Sequence, residues 1–500
     1  MFWKILSTRR SRTLEKNLLQ PRKAQEEVLK KILDQVRGCK IAADLRLDGV
    51  RGMNEFLKTV PVTEYDFYQN YISEILKGKR DILFQGRPVR IAQTGGTTAK
   101  PKLLPLSRHL IWSYRQFNLD MALRYMVDSG NHDIFSDKIF LVAANPESAK
   151  MNGCPVGFIT GIMAQIAPWI LRRRFVPGMA VIKNPKMQQK IEQISQEGYI
   201  HRNRIHMAAG LTTYLMSAWN NLIRYAHEIE GRDYCIGEIF PHLKVAFHGG
   251  STYGLYLERM RALAGSRVDH RNVYSAAEGP IAFQFGAASP GLAPALDAVF
   301  FEFIPEHDAE KEYSDTVMID EVECGKPYYL LLSTQGGLLR YKIGDMVEFI
   351  QNNPPLLSVL GKTSDQIDLS AEKMGVAQAT LAIQKASLAL NLNILNFMVC
   401  PKAQIHRDDK IAHEWIIEFE SEPKDLQAFR DELEKHLFSC NPLYQELRNH
   451  DFALASPQIT VVPAGTFQRY IEGEFNYGQQ KILHMHNDRS TAEMLLSYGR

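Results

Sequence analysis

Cysteine is scarce in this chain of 500 residues, and what there is lies scattered. Cys39, Cys154, Cys235, Cys324, Cys400 and Cys440 form no CxxC pair and no metal-ligand spacing. That argues against a disulfide framework and a structural zinc site, and predicts reduced thiols in a cytoplasmic protein. Charge of one sign is also lacking. A formal net charge of +3 gives no general argument for nucleic acid or an anionic membrane as partner. No long hydrophobic run goes uninterrupted. The nearest, 154–171, contains Gln165, two prolines and two glycines, so it predicts a buried wall or pocket lining, with no integral membrane segment. Internal repeats and low-complexity linkers are absent as well.

What is present is an ordinary globular composition, 45% apolar and 23% charged, in a length that implies two or three domains. The near-neutral total hides one asymmetry. Residues 1–31 carry nine Lys or Arg against three acids, a net of +6 that leaves −3 for the rest. Such a start reads as a transit peptide, a membrane-surface helix, or a solvated first helix of the body. The apolar stretch before Arg9 is too short for a signal peptide.

Helical periodicity covers 14–36 and 63–77, and later 211–226 and 254–264. Strands are expected at 138–144, at 243–247 running into Gly249-Gly250-Ser251, and at 268–274 running into Ser275-Ala276-Ala277-Glu278. Alternation of the two predicts an α/β body. From about 298 to 360 the texture turns to short β segments broken by Gly-Lys-Pro and Gln-Gly-Gly, which predicts a β-barrel-like subdomain on the same body. After Asp365 come a helix near 376–390, strands at 396–401 and 413–420, and a helix at 423–438. The reading is therefore an N-terminal body over 1–361, a hinge at 361–366, and a small α+β domain over 366–500.

The most informative stretch is Gln93-Thr94-Gly95-Gly96-Thr97-Thr98-Ala99-Lys100-Pro101-Lys102. Small, hydroxylated, glycine-rich loops let backbone N–H groups converge on phosphate oxygens, and a nearby lysine adds a donor. The spacing fits neither GxxxxGK[ST] nor GxGxxG, and by itself the loop also reads as a surface turn. Three further sites follow in order. Gly249, Gly250 and Ser251 would let a flat base lie against backbone, and Tyr274, beside Ser275, would stack on it. Glu278 would hold a magnesium ion, and Asp345 would accept hydrogen bonds from ribose hydroxyls. Taken singly, each also reads as a turn, a core tyrosine, a surface glutamate or a hairpin aspartate.

Residues 94–102 resemble the phosphate loop of adenylate-forming enzymes. The chain is more closely similar to one branch, the auxin-responsive Gretchen Hagen family of acyl-acid amido synthetases. The resemblance is carried by Val60-Pro61-Val62-Thr63-Glu64-Tyr65-Asp66 with Tyr71-Ile72, and by Pro155-Val156-Gly157-Phe158-Ile159-Thr160-Gly161. It continues through Leu339-Arg340-Tyr341-Lys342-Ile343-Gly344-Asp345 and Ala464-Gly465-Thr466-Phe467. Gly478-Gln479-Gln480-Lys481 with Asn487-Asp488-Arg489 completes it. It implies an ATP-dependent ligase that adenylates a carboxylic acid, releases pyrophosphate, and passes the acyl group to an amine, usually of an amino acid. It also implies a small domain that rotates between the two halves.

On that resemblance Thr94, Thr97, Thr98 and Lys102 hold β- and γ-phosphate oxygens, with Gly95 and Gly96 shaping the loop. Glu278 carries magnesium, and Lys481 reaches the α-phosphate or the acyl carboxylate. Lys362 stands where arginine is frequent and would contact ribose or phosphate. The acid pocket is expected from Phe158, Ile159, Met163, Leu211 and Thr212, with Met207 nearby. Three departures stand out: Gly95 for a usual serine, Ala99 for a usual glycine, and Ala277 for a usual serine or threonine. The last predicts one weakened hydrogen bond beside the phosphates. Two other readings remain at this stage, a coenzyme A ligase using the same first half-reaction and a non-catalytic binder of nucleotide or acid. No fused carrier domain or protein partner is identifiable.

Overall fold

A computed structural model describes residues 2–94, 102–249, 253–306, 316–362, 366–403, 410–467, 469–470 and 484–499. The first helical tract is two helices, Phe2–Leu19 and Pro21–Val36. Pro21 causes the break, because it lacks an N–H and suits the first helical turn rather than an interior. The second helix buries Ala24, Val28, Ile32 and Val36 at a spacing of four, with Gln25 and Leu29 beside them. Gln25 carries this helix onto a sheet edge. Its amide donates to the carbonyls of Leu296 and Val299 at 3.0 and 2.9 Å and accepts from the Phe301 amide at 2.6 Å. An otherwise unpaired strand edge is thereby covered.

That strand, Val299–Pro305, begins an eleven-stranded sheet. Next come Pro327–Thr334, Tyr341–Asn352 and Pro355–Lys362, all antiparallel. Leu292–Pro294 and Pro280–Gln284 join this β-rich part to Asp269–Ser275. From there Val245–Gly249, Ile205–Leu211, Lys138–Val142 and Phe175–Val176 run parallel. The parallel half is buried on both faces, as such sheets require. On one side lie Trp219, Leu222 and Met260 with Phe140 and Ala246; on the other lie Phe117, Met121 and Tyr125 with Val245 and Phe247. A smaller sheet pairs Arg90–Thr94 with Lys102–Leu106 antiparallel and with Cys154–Gly157 parallel. All six cysteines are free thiols. Among the described residues no helix is long and apolar enough to cross a membrane.

The C-terminal part has its own sheet. Ile394–Pro401 and His413–Phe419 are antiparallel, and Gln458–Val462 adds in parallel. Helices Val376–Leu390, Leu426–Cys440 and Pro442–Arg448 pack with it. One continuous apolar cluster runs from Tyr214, Leu215 and Trp219 of the body to Leu437, Phe452 and Leu454 of this part. Tyr214 and Phe452 meet edge to face at 5.3 Å. Buried Lys190 and half-buried Glu446 interact across the same boundary, and burial lowers the lysine pKa and raises the glutamate pKa.

Candidate active site

The glycine-rich loop joins two paired strands. Thr94 lies opposite Lys102, so the hairpin ends place Lys102 at the loop mouth. Gly95, Gly96, Thr97, Thr98 and Ala99 lie outside the described residues, as does the side chain of Thr94. Lys102 sits over the Tyr65 ring at 5.2 Å. The Tyr65 hydroxyl accepts from the Leu103 amide at 2.9 Å, which fixes the ring against the hairpin.

Tyr65 is delivered by the segment before it. Thr63 bridges to Tyr341, its amide donating to the Arg340 carbonyl and its hydroxyl to the Leu339 carbonyl. Arg340, in the left-handed region at φ 47°, turns inward. It donates to the buried Glu302 at 2.9 and 3.2 Å and to the carbonyls of Leu57 and Val60 at 2.8 and 2.7 Å. Two sequence signatures more than 270 residues apart, 60–66 and 339–345, are thus halves of one clamp.

Glu278 occupies the turn between Asp269–Ser275 and Pro280–Gln284. It is 8% exposed, and its carboxylate has no hydrogen-bond or ion-pair partner among the described residues. Four tyrosines feel its charge. Burial raises the hydroxyl pKa values of Tyr65, Tyr114, Tyr274 and Tyr341, and the Glu278 charge raises each further. Tyr114 donates to the Ala276 carbonyl and so holds the turn from behind. Lys102, over the Tyr65 ring, and Glu278, whose charge reaches the Tyr65 hydroxyl, are therefore both neighbours of Tyr65. A buried carboxylate without a protein partner is costly unless a cation or several donors approach it. One carboxylate with phosphate oxygens and water is a common magnesium environment, so the residues fit that ion.

The Ala277 side chain points elsewhere. It is 3% exposed and packs in an apolar cluster with Leu83, Leu104 and Leu338. The expected loss of a hydroxyl beside the phosphates is corrected accordingly, since a hydroxyl here would enter hydrocarbon.

Asp345 is 6% exposed and accepts from the Tyr274 hydroxyl. Tyr274 is thus tethered by its hydroxyl and braces Asp345. Ser275 beside it is exposed. Lys362 lies directly opposite Asp345 in the strand register, so the last residues before the 363–365 segment begin at this site.

The parallel strands end level. Val142 pairs with Gly210, Leu211 with Gly249, and Gly249 with Val273. A Cβ on Gly249 would stand 1.7 Å from the Val273 carbonyl oxygen, so glycine is demanded by the neighbouring strand. Gly250 and Ser251 lie outside the described residues. Thr212 is 1% exposed; its hydroxyl donates to the Gly249 carbonyl at 3.1 Å and lies 3.0 Å from His248 Nδ1. His248 Nε2 in turn meets His270 Nδ1 at 2.9 Å. The Thr212 hydroxyl is thus engaged within the protein and fixes the strand ends. Leu211 is half-buried in the cluster that faces the C-terminal part.

The helix Ile159–Ile166 starts at the end of Lys138–Val142. Ala144 donates to the Thr160 hydroxyl at 3.2 Å, and a Cβ on Gly161 would meet the Ala144 carbonyl oxygen at 2.2 Å. Half-buried Ile159 and Met163 pack in the cluster that contains Ala277 and Tyr341, and Phe158 caps the helix. The two halves of the expected acid pocket reach the same end of the sheet but pack in different clusters.

Lys481 and its neighbours lie outside the described residues, as do residues 363–365 of the expected hinge. The flanking signatures are structural. Glu418 accepts from the amides of Gly465 and Phe467 at 2.7 and 2.9 Å. The Asn487 side chain accepts from the Asp368 amide at 2.7 Å. His484 and His486 lie on an added edge beside Val399, and no group of potential metal ligands occurs among the described residues. The residues that a motif search passes over are Tyr114 and the buried His248–His270 pair. Neither stands in a recognisable motif, and only the fold brings Tyr114 to the 275–279 turn.

Three sequence profiles match in order along the chain: the GH3 family N-terminal domain at 10–208, its central domain at 292–362, and its C-terminal domain at 377–490. The chain belongs to the GH3 family. Among its relatives is the indole-3-acetic acid-amido synthetase GH3.3 of Arabidopsis thaliana, 27% identical over 36% of this chain and 31% of that protein. Another is the jasmonoyl--L-amino acid synthetase JAR6 of Nicotiana attenuata, 21% identical over 90% of this chain and 88% of that protein. A solved structure titled GH3.15 acyl acid amido synthetase superposes with a TM-score of 0.59 at 17% identity, covering 96% of this chain and 94% of that one. This GH3 chain therefore shares that fold, and the site described above is its own.

Proposed function

We propose that this GH3 chain is an ATP-dependent ligase that adenylates a carboxylic acid and transfers the acyl group to an amine, most simply that of an amino acid. The observation that carries the reading is the buried Glu278, without a protein partner among the described residues, whose charge reaches the same Tyr65 that Lys102 covers at the end of the glycine-rich hairpin. The names of the relatives, two of them amido or amino acid synthetases, support the same chemistry.

In the first half the acid's carboxylate attacks the α-phosphate and pyrophosphate leaves. Lys102, with the loop residues Thr94–Thr98, binds the departing phosphate oxygens. Glu278 holds magnesium, which when bound neutralises charge on those oxygens. Lys102 rests over the Tyr65 ring and forms no ion pair with Glu278 among the described residues, so the cation remains available to substrate. Asp345, braced by Tyr274, accepts ribose hydroxyls, with Lys362 opposite. Lys481 belongs to the C-terminal part and would complete the charge around the α-phosphate. In the second half the amine's lone pair attacks the acyl carbonyl, AMP leaves, and the amine gives up a proton. Shielding the anhydride from water is then the main demand on the site. The apolar boundary around Tyr214 and Phe452 supplies a dry wall on which the small domain can shift.

The test is exchange of labelled pyrophosphate into ATP, driven by a panel of aliphatic and aromatic carboxylic acids. Acid-dependent exchange is expected, and ATP binding without any exchange refutes the enzyme reading. Mass spectrometry with mixed amino acids or coenzyme A then separates amide from thioester, and an exclusive thioester product overturns the amine half.

A further inference from the structure

The basic N-terminal helices do more than cover a sheet edge. Between Phe2–Leu19, the helix Arg108–Ser129 and the strand Pro280–Gln284 lies a cavity of about 310 Å³. None of the residues gathered at Glu278 or at the parallel strand ends lines it. Its walls are aliphatic and aromatic, with Leu6, Leu14, Phe117 and Phe283 prominent. Cavities of about half this volume accept benzene, so this one takes a ring plus a short chain.

One end is polar and built. Arg10, with its side chain 19% exposed, donates through Nε and one terminal nitrogen to both oxygens of the buried Asp120. The same terminal nitrogen reaches Asp297 at 2.6 Å. Gln116 donates to Asp120 at 2.7 Å, so Asp120 is saturated from two sides. The other terminal nitrogen of Arg10 has no partner among the described residues, and neither has the ammonium of Lys31, which also lines the cavity. The four charged groups sum to zero, and the exposed rim of the two helices adds Arg9, Arg12 and Lys16. The unused donors are thus cationic and lie beside an apolar chamber, with one oxygen of Asp297 as an unused acceptor near them. That complements an anion with a hydrophobic tail.

We propose that this cavity is a second binding site, distinct from the adenylation site, for an amphipathic carboxylate whose head meets Arg10 and Lys31 and whose tail fills the chamber. The inference stands independently of the proposed ligase reaction. Trp112 lines the cavity while 59% exposed, so an occupant covers it and shifts its emission to the blue.

The probe is 4-phenylbutyrate, with 4-phenyl-1-butanol as the uncharged control, titrated against the full chain while tryptophan emission is read. A Trp112→Phe variant identifies the reporter. The acid is expected to bind at least about tenfold more tightly than the alcohol. Lys31→Gln, at an exposed position, should weaken the acid about tenfold and leave the alcohol unchanged. Asn17→Phe, at the half-buried rim, should abolish the response to both. Pyrophosphate exchange should persist in both variants, which separates this site from the adenylation site. No Trp112-dependent response up to about 10 mM acid overturns the proposal. So does equal binding of acid and alcohol, or an acid affinity unmoved in both variants.

Discussion

Replacing Glu278 by glutamine tests the centre of the site with the least change of shape. The side chain is 8% exposed and has no protein partner among the described residues, so the amide removes one negative charge and leaves packing intact. The folded protein no longer has to hold an unpaired buried charge. Its stability should therefore stay level or rise by about 1 kcal/mol. Catalysis should move the other way. Losing one preorganised electrostatic contribution in a dry site typically costs about 100- to 1000-fold, or roughly 3–4 kcal/mol of transition-state stabilisation. Pyrophosphate exchange measured across a magnesium titration reads both rate and metal requirement, and a thermal melt reads stability. The expected pattern is exchange down at least about 100-fold, more magnesium needed for half-maximal rate, and an unchanged or higher melting temperature. Exchange within about twofold of the parent refutes the metal role. A large fall in melting temperature would instead show that the carboxylate holds the turn.

Three further outcomes follow from packing and charge. Arg340→Met strands the Glu302 carboxylate, which is 1% exposed, and should cost about 3–5 kcal/mol in a denaturant titration; adding Glu302→Gln should recover part of it. Gly249→Ala must force apart two strands, because its Cβ would stand 1.7 Å from the Val273 carbonyl oxygen, and should cost about 3 kcal/mol or more; unchanged stability would contradict the register. The His248–His270 pair predicts acid sensitivity. Burial and the neighbouring ring lower His248 to about 3, while burial and the Arg261 charge lower His270 to about 4. Both stay neutral in the folded protein, whereas the unfolded chain protonates them below about pH 6.5. Their contribution is complete above that pH and is lost as pH falls toward 4, by up to about 1.4 kcal/mol per pH unit for each. Urea melts between pH 7 and 5 read the slope, and His270→Asn should reduce it; an unchanged slope would refute the assignment.

Much of the fold was legible because local chemistry fixes it. Alternating strands and helices mark the parallel body, and the Gly-Lys-Pro and Gln-Gly-Gly turns mark the antiparallel strands, whereas the 14–36 periodicity runs through Pro21 and hides the break there. The site was legible as a set of motifs in order, but not as an arrangement. Ala277 reads in sequence as a missing hydroxyl beside Glu278, yet successive residues of a turn point in different directions, and this one points into hydrocarbon. Thr212 reads as a pocket hydroxyl, yet the pairing of its strand with Val245–Gly249 brings His248 and the Gly249 carbonyl to it first.

Residue types and motif order suffice to assign the chain to the GH3 family and to name the groups available for phosphate, metal and ribose. Tertiary structure alone decided who stands beside whom. Tyr65, Tyr114 and Tyr341 stand near Glu278 only because the tertiary fold brings together segments separated by about 60 to more than 200 residues. The basic first 31 residues show the same division. Their charge is plain in the sequence, but whether a given arginine is solvated or buried depends on what packs against it. Arg10 is turned inward to two aspartates and Lys31 is left without a partner, because long-range contacts, not local composition, set the cost of burying a charge.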